Sequence, residues 1–267
     1  RREKNHLVRR GDGSLDTDQV PVRGLESQPE GQLHLQETLD QIYRMHNFNR
    51  WIYSLIEEFL GQRVLEIGCG VGSFTGLLSE GGRRVMAVDI EPAYVKKVRE
   101  GFQNNELVEA IVFDATDPPG PEILKFHADT VVCMNVIEHL KDDAAAMEHL
   151  AASLQPEGRA IILVPAFQWL YGSMDESYRH WRRYNRKELE KLLQQAGLKV
   201  EKTFYVNLFG MLGWWMSGKV LHRRVLPSGG LRLYHWLVPL FKWVEKITGP
   251  PVGLSLISIG RKPAARR

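Results

Sequence analysis

The apolar positions of this chain change period several times, and each change marks an element. Between Leu35 and Leu60 they fall at helical spacing: Leu39, Ile42 and Tyr43, then Phe48, Trp51, Ile52, Leu55, Ile56 and Phe59. Gly61 is expected to end that helix as a C-cap. Short apolar runs then alternate with amphipathic stretches. They predict strands at 63–67, 84–88, 107–113, 130–135 and 159–164, with helices at 72–80, 92–102 and 142–154. Residues 117–121 read as a loop leading into the fourth strand. Pro92 fits the first turn of its helix, where a missing N–H costs nothing. A helix at 186–195 ended by Gly197, a strand at 198–205 and a short strand at 254–260 complete the pattern. This alternation predicts an α/β fold: a Rossmann-like, mostly parallel sheet with helices on both faces. In such sheets ligands lie beyond the carboxyl ends of the strands. Gly68, Asp89, Asp114 and Asn135 all fall there.

Three stretches depart from the alternation. Residues 1–35 are rich in Arg, Gly, Asp, Gln and Pro and read as a disordered arm. Residues 166–185 form an aromatic and charged insertion after the fifth strand. Residues 207–250 form a larger, helical and aromatic insertion before the last strand. The uncharged run at 203–218 is too short and glycine-rich to span a bilayer, which takes roughly 20 apolar residues. Trp214, Trp215, Trp236 and Trp243 alternate with Lys219, Arg223, Arg224, Arg232 and Lys242, the composition of a helix at a membrane interface. Three roles stay open for it: a cap over an acceptor pocket, a peripheral membrane contact through 207–243, or a homodimer surface.

The richest stretch is Val64-Leu65-Glu66-Ile67-Gly68-Cys69-Gly70-Val71-Gly72-Ser73. It reads as a buried strand, a glycine turn and a helix start, and Asp89 closes the next strand. An acidic residue about 20 positions after such a turn suits the hydroxyls of a ribose. Ser73 stands where the dinucleotide fingerprint has its third glycine, and Glu66 would oppose a pyrophosphate. A carboxylate there suits a ligand bearing positive charge.

With these residues the chain resembles the class I S-adenosylmethionine-dependent methyltransferases, whose first motif is close to L-E-x-G-C-G-x-G. The resemblance implies a methyltransferase domain over 36–206 and 251–262, with a seventh strand antiparallel between the fifth and sixth. It implies S-adenosylmethionine as cofactor and S-adenosylhomocysteine as product. Gly68, through its backbone, Cys69 and Gly70 would line the methionine moiety, with Glu66 acting there through the loop, and Asp89 would take the ribose hydroxyls. Ile90 would pack on adenine, Asp114 and Ala115 would meet its amino group, and Asn135 would face the methionine end. Tyr43 or Asn49, in the preceding helix, could contact the methionine carboxylate; the alternative is that Phe48 and Trp51 of that helix are simply core anchors.

On the acceptor side, Ile137-Glu138-His139-Leu140 resembles the segment after the fourth strand in quinone-biosynthesis O-methyltransferases. His139 is a candidate base, acceptor orienter or packing residue. The run from Tyr171 to Tyr184 supplies His180 and Tyr184 as further catalytic candidates and Tyr178 and Arg183 as acceptor-binding ones. The alternative is a structural network in which Arg183 or Tyr184 pins the loop to Asp175 or Glu176. The acceptor is expected to be a small or lipid-like molecule methylated on oxygen or nitrogen. N-methylation of a small molecule or peptide, and a non-catalytic partner subunit of the same fold, are the alternatives.

Charge and cysteines narrow this further. The 267 residues carry a net charge of only +3, with basic residues gathered at the two ends. That argues against a broad nucleic-acid face, and no Asn-Pro-Pro-Tyr-type tetrad follows the fourth strand. The two cysteines make no disulfide framework and no metal-ligand spacing, so no metal is expected and a reducing compartment fits. No secretory segment is readable at the N-terminus. The expected location is the cytoplasm, with peripheral contact at the inner face of a membrane as an option.

Overall fold

A computed structural model describes residues 46–223 and 228–264. The arm expected at 1–35, the first part of the predicted leading helix, and Tyr43 lie outside the described residues. The described elements begin with α1 (His46–Ile56), β1 (Arg63–Ile67), α2 (Thr75–Ser79), β2 (Arg84–Asp89) and α3 (Pro92–Gly101). They continue with β3 (Val108–Val112), α4 (Pro121–Phe126), β4 (Ala128–Met134), α5 (Asp143–Ser153), β5 (Leu154–Pro165) and α6 (Ser173–Ser177). The chain ends through α7 (Arg186–Gln195), β6 (Lys199–Val206), α8 (Leu208–Trp214), α9 (Ser228–Thr248) and β7 (Ser255–Arg261).

The strands form a single seven-stranded sheet in the order β3-β2-β1-β4-β5-β7-β6. Strands β1 to β5 run parallel, and β7 is antiparallel to both β5 and β6. This is the Rossmann-like, mostly parallel sheet expected from the sequence. The central strands are apolar at consecutive positions because both faces are covered. Leu65, Val131 and Ile162 face a cluster with Met147 and Leu150 of α5 and Leu189 and Leu193 of α7. Their neighbours Val64, Val132 and Ile161 face the other way, onto Trp51, Ile52 and Ile56 of α1, Leu78 of α2 and Val238 of α9.

Three local expectations need correction. The leading helix does not end on Gly61. It tightens into a 3-10 turn at Glu57–Phe59, closed by the Leu60 N–H on the Glu57 carbonyl, and the Gly61 N–H donates to Thr130 Oγ1. The helix expected to start at Gly72 starts at Thr75, because the glycine turn takes up the intervening residues. Helix α4 was not expected at all. It is one short segment with Pro121 in its first turn, and only Ile123 and Phe126 are buried, too few to show a period.

The excursion between β6 and β7 leaves and returns at one point. Asn207, in the left-handed region (φ 69°), caps α8 by accepting the Gly210 N–H. Glu245 of α9 accepts the N–H groups of Asn207 (3.0 Å) and Leu208 (2.7 Å), and the Leu254 N–H donates to the Asn207 carbonyl. One face of α9 lies on α1, with Val238 in the core and Tyr234 against Phe48. The opposite face is bare: Leu233, Trp236, Leu240, Trp243 and Ile247 follow one stripe, with Trp236 79% exposed. Beyond α8, a π-helical segment (Trp215–Val220) lies over α6, where Gly218 accepts from the Ser173 hydroxyl. Among the described residues no helix is long and apolar enough to cross a membrane.

Candidate functional site

Strand order reverses between β1 and β4, the place where open parallel sheets bind ligands beyond their carboxyl ends. The turn after β1 lies at that point. Gly68, Gly70 and Gly72 all have positive φ (73°, 52° and 83°), a backbone path that side-chain-bearing residues rarely follow. At Gly68 there is a second constraint, because a Cβ would collide with the Val136 side chain on the loop after β4. Asp89 holds the turn from the neighbouring strand. Its Oδ2 accepts the Gly70 N–H and its Oδ1 the Glu91 N–H, each at 2.9 Å. Burial nevertheless raises the Asp89 pKa, against those two bonds. Each oxygen keeps a further lone pair, so the carboxylate can hold the turn and still accept from a ligand hydroxyl.

Glu66 acts on the turn from within. It is buried beneath the turn, and its Oε2 accepts the Thr75 hydroxyl at 2.6 Å, which ties β1 to α2. Burial pushes its pKa up to about 8. It is an internal brace, not a charged group offered to a ligand. This gives a pH dependence of definite sign. An unfolded glutamate titrates near 4.3, so between that value and about 8 the folded state holds the extra proton. Its contribution to stability is full below pH ~4.3 and is lost as pH rises through the folded value. Glu66→Gln cannot charge. The melting temperature of the variant minus that of the parent is therefore expected to grow by several degrees between pH 4.5 and 8.5. A difference that stays flat across that range would remove the assignment.

The other cofactor candidates also fall at these strand ends. Ile90, beside Asp89, is 43% exposed, an apolar surface that a flat ring can cover. Asn135 is exposed and left-handed (φ 53°), with its N–H on the Leu163 carbonyl. Cys69 is buried, and burial pushes its thiol pKa up, so only its backbone serves the turn. Asp114 spends Oδ1 on the Thr116 N–H and hydroxyl, closing its own turn, and Ala115 is buried behind it.

On the acceptor side, folding brings together residues far apart in sequence. The 3-10 turn Ile137–His139 presents Glu138 and His139 directly after β4. The His139 and His180 rings meet edge-on, with centroids 4.7 Å apart. Asp175 fixes this arrangement. It is fully buried, and its Oδ1 takes His180 Nδ1 at 2.8 Å and Arg183 Nε at 2.7 Å. Its Oδ2 takes the Gly172 N–H and the Trp214 indole N–H, so the aromatic insertion is bonded to the same carboxylate. Burial acting alone would raise the Asp175 pKa, but the His180 bond and the Arg183 charge outweigh it and hold the value low.

Several expected roles change here. Arg183 is 3% exposed and is committed to Asp175 and the Ala166 carbonyl, so its charge is used inside the protein and not on an acceptor. Tyr184 donates to Asp143 Oδ2 at 2.7 Å, and burial raises its pKa, so it pins α5 and is no proton carrier. His139 is pushed down to about 3, by burial first and by His180 second, which makes it a weak base at neutral pH. Tyr178 is buried, with its ring 6.1 Å from that of His180 and 6.0 Å from that of Trp214. Sequence reasoning had Asp175 only as one loop partner among two. The cue to its central position was its place five residues before His180 and eight before Arg183.

Comparison with known proteins agrees with this geometry. A family profile described as a methyltransferase domain matches residues 35–203. The chain is 28% identical over 162 residues to a ubiquinone biosynthesis O-methyltransferase of Xanthomonas euvesicatoria, covering 54% of this chain and 65% of that protein. It is 33% identical over 107 residues to the protein of the same name from Xylella fastidiosa, covering 38% and 41%. In both cases the chain spans less than two thirds of the relative. Among solved structures, the fold is similar to Haemonchus contortus phosphoethanolamine N-methyltransferase 2 in complex with S-adenosylmethionine. The TM-score is 0.57 at 17% identity, over 85% of this chain and 57% of that one.

Proposed function

The chain belongs to the class I S-adenosylmethionine-dependent methyltransferases, and from that premise we propose that it methylates an oxygen of a lipid-like acceptor. The observation that carries the reading is the glycine turn tied to Asp89 at the reversal of strand order. Positive φ at Gly68 and Gly70, the accepting carboxylate of Asp89 and the bare Ile90 fit an adenosyl group with an attached amino acid. When bound, S-adenosylmethionine supplies an electrophilic methyl group on its sulfonium sulfur. The chain positions the two reactants and keeps water away. Asp89 would hold the ribose, while Gly68, Gly70 and the backbone of Asn135 would leave room for the methionine end. The acceptor hydroxyl would lose its proton in the recess bordered by Glu138, His139 and His180.

The oxygen reading draws support from the two relatives named as ubiquinone biosynthesis O-methyltransferases. N-methylation remains the second reading. With S-adenosylmethionine labelled in its methyl group and an extract of the source cell, Asp89-dependent label is expected in the organic phase. Label confined to the aqueous phase would replace the lipid-like acceptor with a soluble one. A lipid-like acceptor also gives the bare face of α9 a purpose. Trp236 and Trp243 project from it, and Lys242 and Lys246 flank the stripe, as on helices that lie in a headgroup layer. Vesicles containing anionic lipid are expected to sediment the parent protein. The pair Trp236→Ser and Trp243→Ser is expected to lose at least about tenfold in partitioning, since each indole contributes more than 1.4 kcal/mol of apolar burial. Equal sedimentation of parent and variant would remove the membrane role.

A further inference from the structure

We propose that Glu138, His139 and His180 form a binding site for a divalent first-row transition-metal ion beside the cofactor turn. Their candidate ligand atoms all lie within 4.8 Å of one another. Bonds of about 2.0–2.2 Å bring ligand atoms to roughly 3–3.5 Å from each other, a contraction within reach of side-chain rotation. Two imidazoles and one carboxylate make a donor set suited to such ions, and three protein ligands leave positions open.

Two independent observations point to a ligand. The first is the Glu138 carboxylate. It is 0% exposed, and neither oxygen has a hydrogen-bond partner. Leaving two acceptor atoms buried and unpaired is costly, and Arg183, the nearest cation able to relieve it, is spent on Asp175. A cation between Glu138 and the two rings would satisfy both oxygens' surroundings at once. The second is the orientation of His180. Asp175 takes its Nδ1, which leaves Nε2 as the ring nitrogen available to a ligand. Carboxylate, imidazole and metal in series is the usual way a ligating histidine is held. Asp175 is itself fixed by Arg183, Gly172 and Trp214. The sequence hid the site because its ligands are one adjacent Glu-His pair and one histidine brought in by a different loop.

What the ion would do rests on the oxygen-acceptor reading; whether it binds does not. A hydroxyl coordinated at an open position loses its proton to water far more readily. Its oxygen then forms the new bond to the methyl carbon as the carbon–sulfur bond breaks, and that electron pair stays on sulfur. His180 in this arrangement is a ligand and not a base.

The test is a titration of the untagged, chelator-treated protein with Co2+ alone, followed by visible absorption and equilibrium dialysis. One Co2+ per chain with visible bands is expected. Glu138→Gln, His139→Ala and His180→Ala should each weaken binding at least about tenfold, with near-ultraviolet circular dichroism and S-adenosylhomocysteine binding retained. Absence of stoichiometric binding, or binding that survives all three substitutions, would overturn the proposal. A parent that binds Co2+ but not S-adenosylhomocysteine would instead sink the methyltransferase reading and leave the metal site standing.

Discussion

Asp89→Ala is expected to weaken S-adenosylhomocysteine binding at least about a hundredfold in calorimetric titration. The carboxylate accepts the N–H groups of Gly70 and Glu91 at 2.9 Å. Hydrogen bonds to a charged group contribute about 1.5–3 kcal/mol each, and a loss of ~2.8 kcal/mol is a hundredfold in affinity. Without them the turn at Gly68–Gly72 loses its attachment to β2, and any bond to the ribose goes as well. Asp89→Asn separates the two contributions. The amide keeps one acceptor for Gly70 and nearly the same shape but loses the bond to the Glu91 N–H, so its melting temperature should fall less than that of Asp89→Ala. Its affinity should still fall about tenfold, because a neutral amide cannot take both ribose hydroxyls. An Asp89→Asn protein that binds as the parent does would mean that Asp89 only holds the turn.

The largest stability effect should come from Asp175→Asn. This substitution preserves volume but leaves Arg183, 3% exposed, without its ion-pair partner. Breaking a buried pair by removing one partner costs about 3–5 kcal/mol. At about 2–4 °C per kcal/mol for a domain of this size, the melting temperature should fall by roughly 10 °C. Adding Arg183→Met should restore much of that loss, since the stranded charge goes with it. The pH dependence has the opposite sign to that of Glu66. The Asp175 pKa is lowered on folding, because the bonds to His180 and Arg183 outweigh burial. Its contribution is full above the unfolded value near 3.9 and is lost as pH falls below it. Parent and variant should therefore converge in acid. A melting temperature within a degree or two of the parent at pH 7 would show that the Asp175 network does not hold the acceptor wall.

How much of this could be read in advance depended on the range of the interactions involved. The five parallel strands and the glycine turn were legible because both are local. Val64-Leu65 and Ile161-Ile162 are apolar on both sides of a covered sheet, and Gly68 and Gly70 follow directly from the backbone path. The position of β7 came from family resemblance alone, since no local feature states which strands a chain will pair with. The bond between Glu66 and Thr75 was not legible, because it crosses a turn whose geometry the sequence does not show. Arg183 and Tyr184 stood in the sequence both as site candidates and as residues pinning the loop, and the choice turned on burial, which a sequence does not show. Asp175 was hidden in the same way: one acidic residue in a charged loop that turned out to bind His180, Arg183 and the indole of Trp214.

The excursion between β6 and β7 has a consequence for how such a chain can diversify. Its two ends are clamped to each other, the Leu254 N–H on the Asn207 carbonyl and Glu245 on the start of α8. The sheet sets the distance between those ends, so the length and content of what lies between them bear little on the strands. Lengthening a loop whose ends are already fixed changes closure entropy only slowly. The strands therefore tolerate variation in this excursion wherever the contacts of Val238 with the core and of Trp214 with Asp175 are kept. A change confined to the rest of the excursion would leave the glycine turn untouched and alter only the bare face that α9 presents.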